Sequence, residues 1–135
     1  MNKPIIYEAE ASELATGTPV LIEVKIEWNR ARIEERIREV FPEAPNTAVA
    51  IAKCESGLVK DVQSHHVRNG IREPSYGIFQ IHSPSWHKRA IALGYEDYKT
   101  DPGDNIKMAR YIYDNAGKSF KDWSCYTQGI YKSEL

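Results

Sequence analysis

Ala48, Ile51, Ala52 and Glu55 stand at i, i+3, i+4 and i+7, and Ser56-Gly57 follows at once. That spacing predicts a helix capped by Asn46 or Thr47 and running to about Ser56, with Gly57 in the left-handed position beyond it. Any fold open to this chain must therefore seat a glutamate on the apolar face of a helix end. A carboxylate in such a place is costly unless it does chemistry. Desolvation and the partial negative charge of the helix C-terminus both disfavour its ionised form and raise its pKa, which suits a general acid near neutral pH. At a frayed, exposed helix end the same residue would be unperturbed; helix position alone does not choose between the two, so the flanking residues must.

The remaining punctuation is mostly helical. Ile33, Ile37, Val40 and Phe41 form one stripe over about 29–41, stopped by Pro42. Ser83-Pro84 starts a helix that Gly94 ends, and Thr100-Asp101-Pro102 starts another running to Gly117 with Ile106, Ala109, Ile112 and Tyr113 inward. Residues 58–75 read as a polar irregular loop or small hairpin. Residues 20–27 alternate as a strand after a turn at Gly17-Thr18-Pro19. The expected class is α+β, predominantly α, with residues 1–27 as an N-terminal arm or strand and 28–135 as the main domain.

Composition excludes several functions. A chain of 135 residues fits one domain, and a net charge of −1 leaves no electrostatic footprint for nucleic acid or an anionic membrane. The most basic cluster, Arg30, Arg32, Arg36 and Arg38, is interleaved with Glu34, Glu35 and Glu39 and reads as a solvated face with Glu34–Arg38 pairing. No apolar run approaches ~18 residues, so no membrane span is expected, and residues 1–14 have neither the basic start nor the apolar centre of a signal peptide. His65, His66, His82 and His87 show no metal-ligand spacing and read as surface residues; neither a metal nor a cofactor is expected. Cys54 and Cys125 allow either one disulfide or two buried free thiols.

Glu55-Ser56-Gly57 followed by Tyr76-Gly77-Ile78-Phe79-Gln80-Ile81 resembles the lytic transglycosylase (SLT-type) and goose-type lysozyme superfamily. Asn105-Ile106 with Tyr111-Ile112 resembles the family's third element, and Tyr126-Thr127-Gln128-Gly129 its last, a Tyr-Asn motif. Ser64 falls where the family often has a cleft serine. The resemblance spans about residues 46–129, in order. Lys60 stands where Pro is common, Ala109 where Gly is, and Thr127 where Asn is usual.

The resemblance implies a lysozyme-like fold and cleavage of peptidoglycan glycan strands between N-acetylmuramic acid and N-acetylglucosamine. Glu55 would protonate the leaving oxygen and then take the proton of the muramic 6-hydroxyl, which closes a 1,6-anhydro ring. Ser64, Tyr76, Gln80, Asn105 and Tyr126 are the implied substrate-binding residues. A hydrolysing muramidase would want a second carboxylate. Asp61 and Glu73 lie in the loop within reach of the cleft, and both read rather as solvated loop charges. A silent glycan-binding or structural module is the rival from another class. Trp28, Trp86, Trp123, Tyr111 and Tyr113 read as core. A Cys54–Cys125 bridge would tie the Glu55 helix to the tail carrying Tyr126. The expected protein is a monomer of the cell envelope or extracellular space, or a phage lysis or virion protein, whose partner is peptidoglycan.

Overall fold

The computed structural model describes residues 4–8 and 21–135. Strands β1 (Pro4–Glu8) and β2 (Leu21–Lys25) pair antiparallel, with Pro4 opposite Lys25 and Glu8 opposite Leu21. The turn expected at Gly17-Thr18-Pro19, and Val20, lie outside the described residues. Helices α1 (Arg30–Val40) and α2 (Pro45–Ser56) follow. Two small hairpins come next, β3 (Val67–Arg68) with β4 (Ile71–Arg72), and β5 (Ser75–Tyr76) with β6 (Ile81–His82). Helices α3 (Ser83–Ala92), α4 (Pro102–Asn115) and the short α5 (Ser124–Thr127) lead to a 3₁₀ turn at Ile130–Glu134. The protein is α+β and predominantly α, as the periodicity implies.

Helix α1 starts where Asn29 Oδ1 accepts the Arg32 N–H at 2.8 Å, and it buries Ile33 and Ile37. Its solvent face carries the Arg38–Glu34 pair at 3.3 Å. Helix α2 differs from expectation at its start. Neither Asn46 nor Thr47 caps it: Ala44 is the cap residue with Pro45 in the first turn, and Asn46 Oδ1 instead accepts from Arg38 Nη1 at 2.7 Å. Ala48 to Ala52 are all buried, so α2 is an interior helix apolar all round rather than on one stripe. Gly57 ends it at φ 67°.

Phe41, just past α1, is fully buried and sits among Tyr113, Phe120 and Phe79 at ring-centroid distances of 5.4, 5.6 and 5.7 Å. Arg110 of α4 clamps the α1–α2 connection through the Val40 carbonyl at 3.0 Å and the Glu43 carboxylate. The 58–75 loop does contain a hairpin: Asn69 and Gly70 both have positive φ, 54° and 75°, as a two-residue turn with right-handed strand twist requires.

The segment 76–80 is fixed by its backbone. The Gly77 N–H donates to the Val62 carbonyl at 2.8 Å. Ser56 Oγ donates to the Ile78 carbonyl at 2.7 Å, and Trp123 Nε1 to the Phe79 carbonyl at 2.8 Å. Asn105 completes the set: its Oδ1 accepts the Phe79 N–H at 2.8 Å, and its Nδ2 donates to the carbonyls of Tyr76 at 2.9 Å and Tyr98 at 2.8 Å. Gly77 has φ 78°, and a Cβ there would lie 2.3 Å from Asn105 Nδ2.

Two outcomes follow for stability in urea. Gly57→Ala, with φ 67° but open space around it, should lose about 1 kcal/mol, whereas Gly77→Ala should lose at least about 2 kcal/mol through strain and a displaced Asn105. Cys54 and Cys125 are joined by a disulfide across 71 positions. The denatured, unreduced protein should titrate no thiol, and replacing both cysteines should cost roughly 2–4 kcal/mol.

Candidate active site

A groove of about 940 Å³ opens between the end of α2, the 62–75 segment and α5. That is the upper part of the ~300–1,000 Å³ range of ligand clefts. Glu55 stands in its wall, in the last turn of α2, and is partly buried. Burial, the largest influence, pushes its carboxyl up to about 7, and the negative charge of Glu73 adds to the rise; a hydrogen bond from the Cys125 backbone N–H works against them. A carboxyl at that value holds its proton in a large fraction of molecules near neutral pH and can also act as a base once it has given the proton up.

The Cys125 N–H is within reach because the disulfide joins Cys125 to Cys54, the residue before Glu55. The bridge thus sets the first turn of α5 against the end of α2. On the floor, Gln80 has φ 48°, an uncommon conformation for a residue with a side chain, costing roughly 1–3 kcal/mol. Its Nε2 donates to the carbonyls of Gly77 at 2.9 Å and Val62 at 3.1 Å, which commits both amide hydrogens and leaves Oε1 as the group it can offer. Ser64 is buried in the opposite wall.

Glu55, Ser64 and Gln80 therefore share one groove, while three other candidates stand apart from its lining. Asn105 is 1% exposed and its amide is spent on three backbone partners, so it offers nothing to a substrate and acts as an internal clasp. The Tyr76 ring is capped by the Lys99 ammonium 4.6 Å from its centroid, a cation–π contact that occupies its face. Tyr126 stacks on Tyr131 at 5.2 Å; the α5 group that reaches Glu55 is the backbone of Cys125 next to it.

Sequence reasoning misses other members of the groove. Trp86 is half-buried and lines it, where a core position is expected; Trp123, which does line it too, is buried as expected. His65, His66 and His82 face it as well, whereas His87 pairs with the Tyr98 hydroxyl at 3.0 Å. Glu73 lines it rather than standing in solvent, while Asp61 is exposed and outside it. The available signal for Glu73 is its position, two residues before the strand that enters the Gly77 turn. Among the described residues no three His, Cys, Asp or Glu side chains gather as metal ligands, and no helix is long and apolar enough to cross a membrane.

Residues 35–129 match the family model described as transglycosylase SLT domain. No curated protein and no solved structure gives a match.

The pKa of Glu55 sets a pH dependence of stability. Its folded value of about 7 lies above its ordinary 4.5, so its ionisation costs folding free energy progressively as pH rises from about 4.5 to about 7. Glu55→Gln, which carries no charge, should gain on the wild type by about 1–3 kcal/mol at pH 8, and the gain should vanish near pH 4. Urea melts at the two pH values check it.

Proposed function

Because the chain belongs to the transglycosylase SLT family, which acts on peptidoglycan, we propose that it cleaves the β-1,4 bond between N-acetylmuramic acid and N-acetylglucosamine with Glu55 as general acid and then base. The observation that carries this is a carboxyl held near pH 7 in the wall of a groove roomy enough for linked sugar rings. Neutral Glu55 gives its proton to the glycosidic oxygen as the bond to the muramic C1 breaks. The carboxylate left behind takes the proton of the muramic 6-hydroxyl, whose oxygen closes on C1 to give the 1,6-anhydro product. The Cys125 N–H steadies the carboxylate during this interval, when Glu55 carries its charge.

Gln80 and Ser64 are the substrate-facing polar groups of this reading, and Trp86 supplies an apolar ring at the groove wall. Residues 28–135 form the catalytic unit, with 1–27 as an arm. A structural disulfide beside the acid fits the cell envelope or extracellular space.

Digestion of purified peptidoglycan followed by mass spectrometry tests the reaction. The expected products include anhydro-muramic ends, one water lighter than hydrolysed ends. Glu55→Gln should lower the rate by about 10²-fold or more. A mutant as fast as the wild type would show that Glu55 is not the acid, and a wild type that releases no products would show that the groove only binds glycan.

A further inference from the structure

Glu73 is a loop residue whose main chain is tied down: its N–H donates to the His66 carbonyl at 2.8 Å, and its carbonyl accepts from Gln63 Nε2 at 3.2 Å. Both carboxylate oxygens are held as well. Oε2 accepts from Ser64 Oγ at 3.2 Å, and Oε1 accepts from Ser75 Oγ at 3.1 Å. The two serines are buried, at 8% and 3% exposure. Ser64 Oγ also accepts the His66 N–H at 3.2 Å, which leaves its own hydrogen for Glu73.

Among the described residues no Lys or Arg forms an ion pair with Glu73. Arg72, the adjacent residue, points its Nε to the Ser64 carbonyl at 2.6 Å and its Nη2 to the Gln63 carbonyl at 3.0 Å. A carboxylate with a purely structural task in a half-buried place is ordinarily ion-paired. This one is oriented by the hydroxyls of two serines and faces the groove that Glu55 faces. The other titratable groups around it are His65, His66 and His82 on its own side, Arg68 in the adjoining cavity that Glu73 also lines, and Asp122 across the groove.

We propose that Glu73 is a second catalytic carboxylate, which directs water onto the muramic C1 and gives the groove a hydrolytic outlet beside ring closure. This rests on Glu55 being the acid. The first half of the reaction is shared: the Glu55 proton passes to the leaving oxygen as the C1–O bond breaks. In the hydrolytic branch the water oxygen bonds to C1 and one of its protons goes to Glu73, which returns it to solvent as Glu55 is reprotonated. One water is consumed and no redox partner is needed. Two carboxylates flanking a scissile bond are what hydrolysis by general acid and base uses, whereas ring closure needs one.

The test is the share of hydrolysed to anhydro muramic ends in digests by the full chain. The wild type should release both. Glu73→Gln should cut the hydrolysed-to-anhydro ratio about tenfold or more while anhydro ends persist. Ser75→Ala, which removes one of the two hydroxyl clamps, should move the ratio the same way by a smaller factor, and it serves if the Gln variant fails to fold. A second readout is the carboxyl titration of Glu55 by NMR, whose midpoint should fall in Glu73→Gln because a facing negative charge is gone. Wild-type digests with anhydro ends alone, or a ratio unmoved by both variants, would overturn the role of Glu73 and leave Glu55 standing. A wild type that cuts nothing would instead remove the Glu55 reading, and this one with it.

Discussion

The groove depends on the side chain of Asn105. One amide, buried in the second turn of α4, bonds three backbone groups from two separate stretches of chain: Tyr76 and Phe79 of the turn, and Tyr98 of the loop before α4. These contacts leave the 76–80 turn no alternative path, because Gly77 packs against the same amide too closely to admit a Cβ. Ser56 and Trp123 hold the turn from its other sides, so α2, α4 and the α5 approach all meet on five residues. The positive φ of Gln80 is tolerable in that setting, since the surrounding bonds over-determine the turn.

Glu55 reflects a balance of opposed effects rather than burial alone. Its own burial at the end of α2 disfavours the charge, and Glu73 disfavours it further. The Cys125 N–H limits the rise. Without it the acid would hold its proton more tightly and donate it less readily; with a cation in its place the carboxyl would be ionised and useless as a donor. The disulfide is therefore placed where a covalent constraint on the chain also fixes a single donor against the Glu55 carboxyl.

Helices were legible where spacing and punctuation agreed. Asp101 caps α4 by accepting the Asp104 N–H at 2.9 Å, and Gly57 ends α2 as its position implies. Helix α2 is legible through the one carboxylate on its apolar stripe, and Ser64 and Gln80 through the resemblance of their segments. Asn105 and Tyr76 are legible as motif members, but a motif says which residue is present and not what its side chain touches. Asn105 was spent on carbonyls 7 and 29 positions away, contacts that no local pattern encodes. Cys125 is legible as a disulfide candidate, but its hydrogen bond to Glu55 has no signature, because what reaches Glu55 is a backbone N–H that every residue but proline carries.

Glu73 shows the same limit from the opposite direction. In sequence it is a charge in a polar loop, and a solvated loop and a groove wall have the same composition. The difference arises from Ser64, nine positions earlier, and Ser75, which converge on it only once β5 has paired with β6 and Gln63 has bridged to Tyr76. That convergence depends in turn on the turn held by Asn105, since β5 leads directly into Gly77 and β6 leaves from Gln80. The two carboxylates of the groove thus acquire unlike surroundings from one scaffold. Glu55 is set in a partly buried helix end with one backbone donor, and Glu73 in a loop with a hydroxyl on each oxygen. Unlike surroundings are what allow two identical functional groups to divide a reaction between giving a proton and taking one.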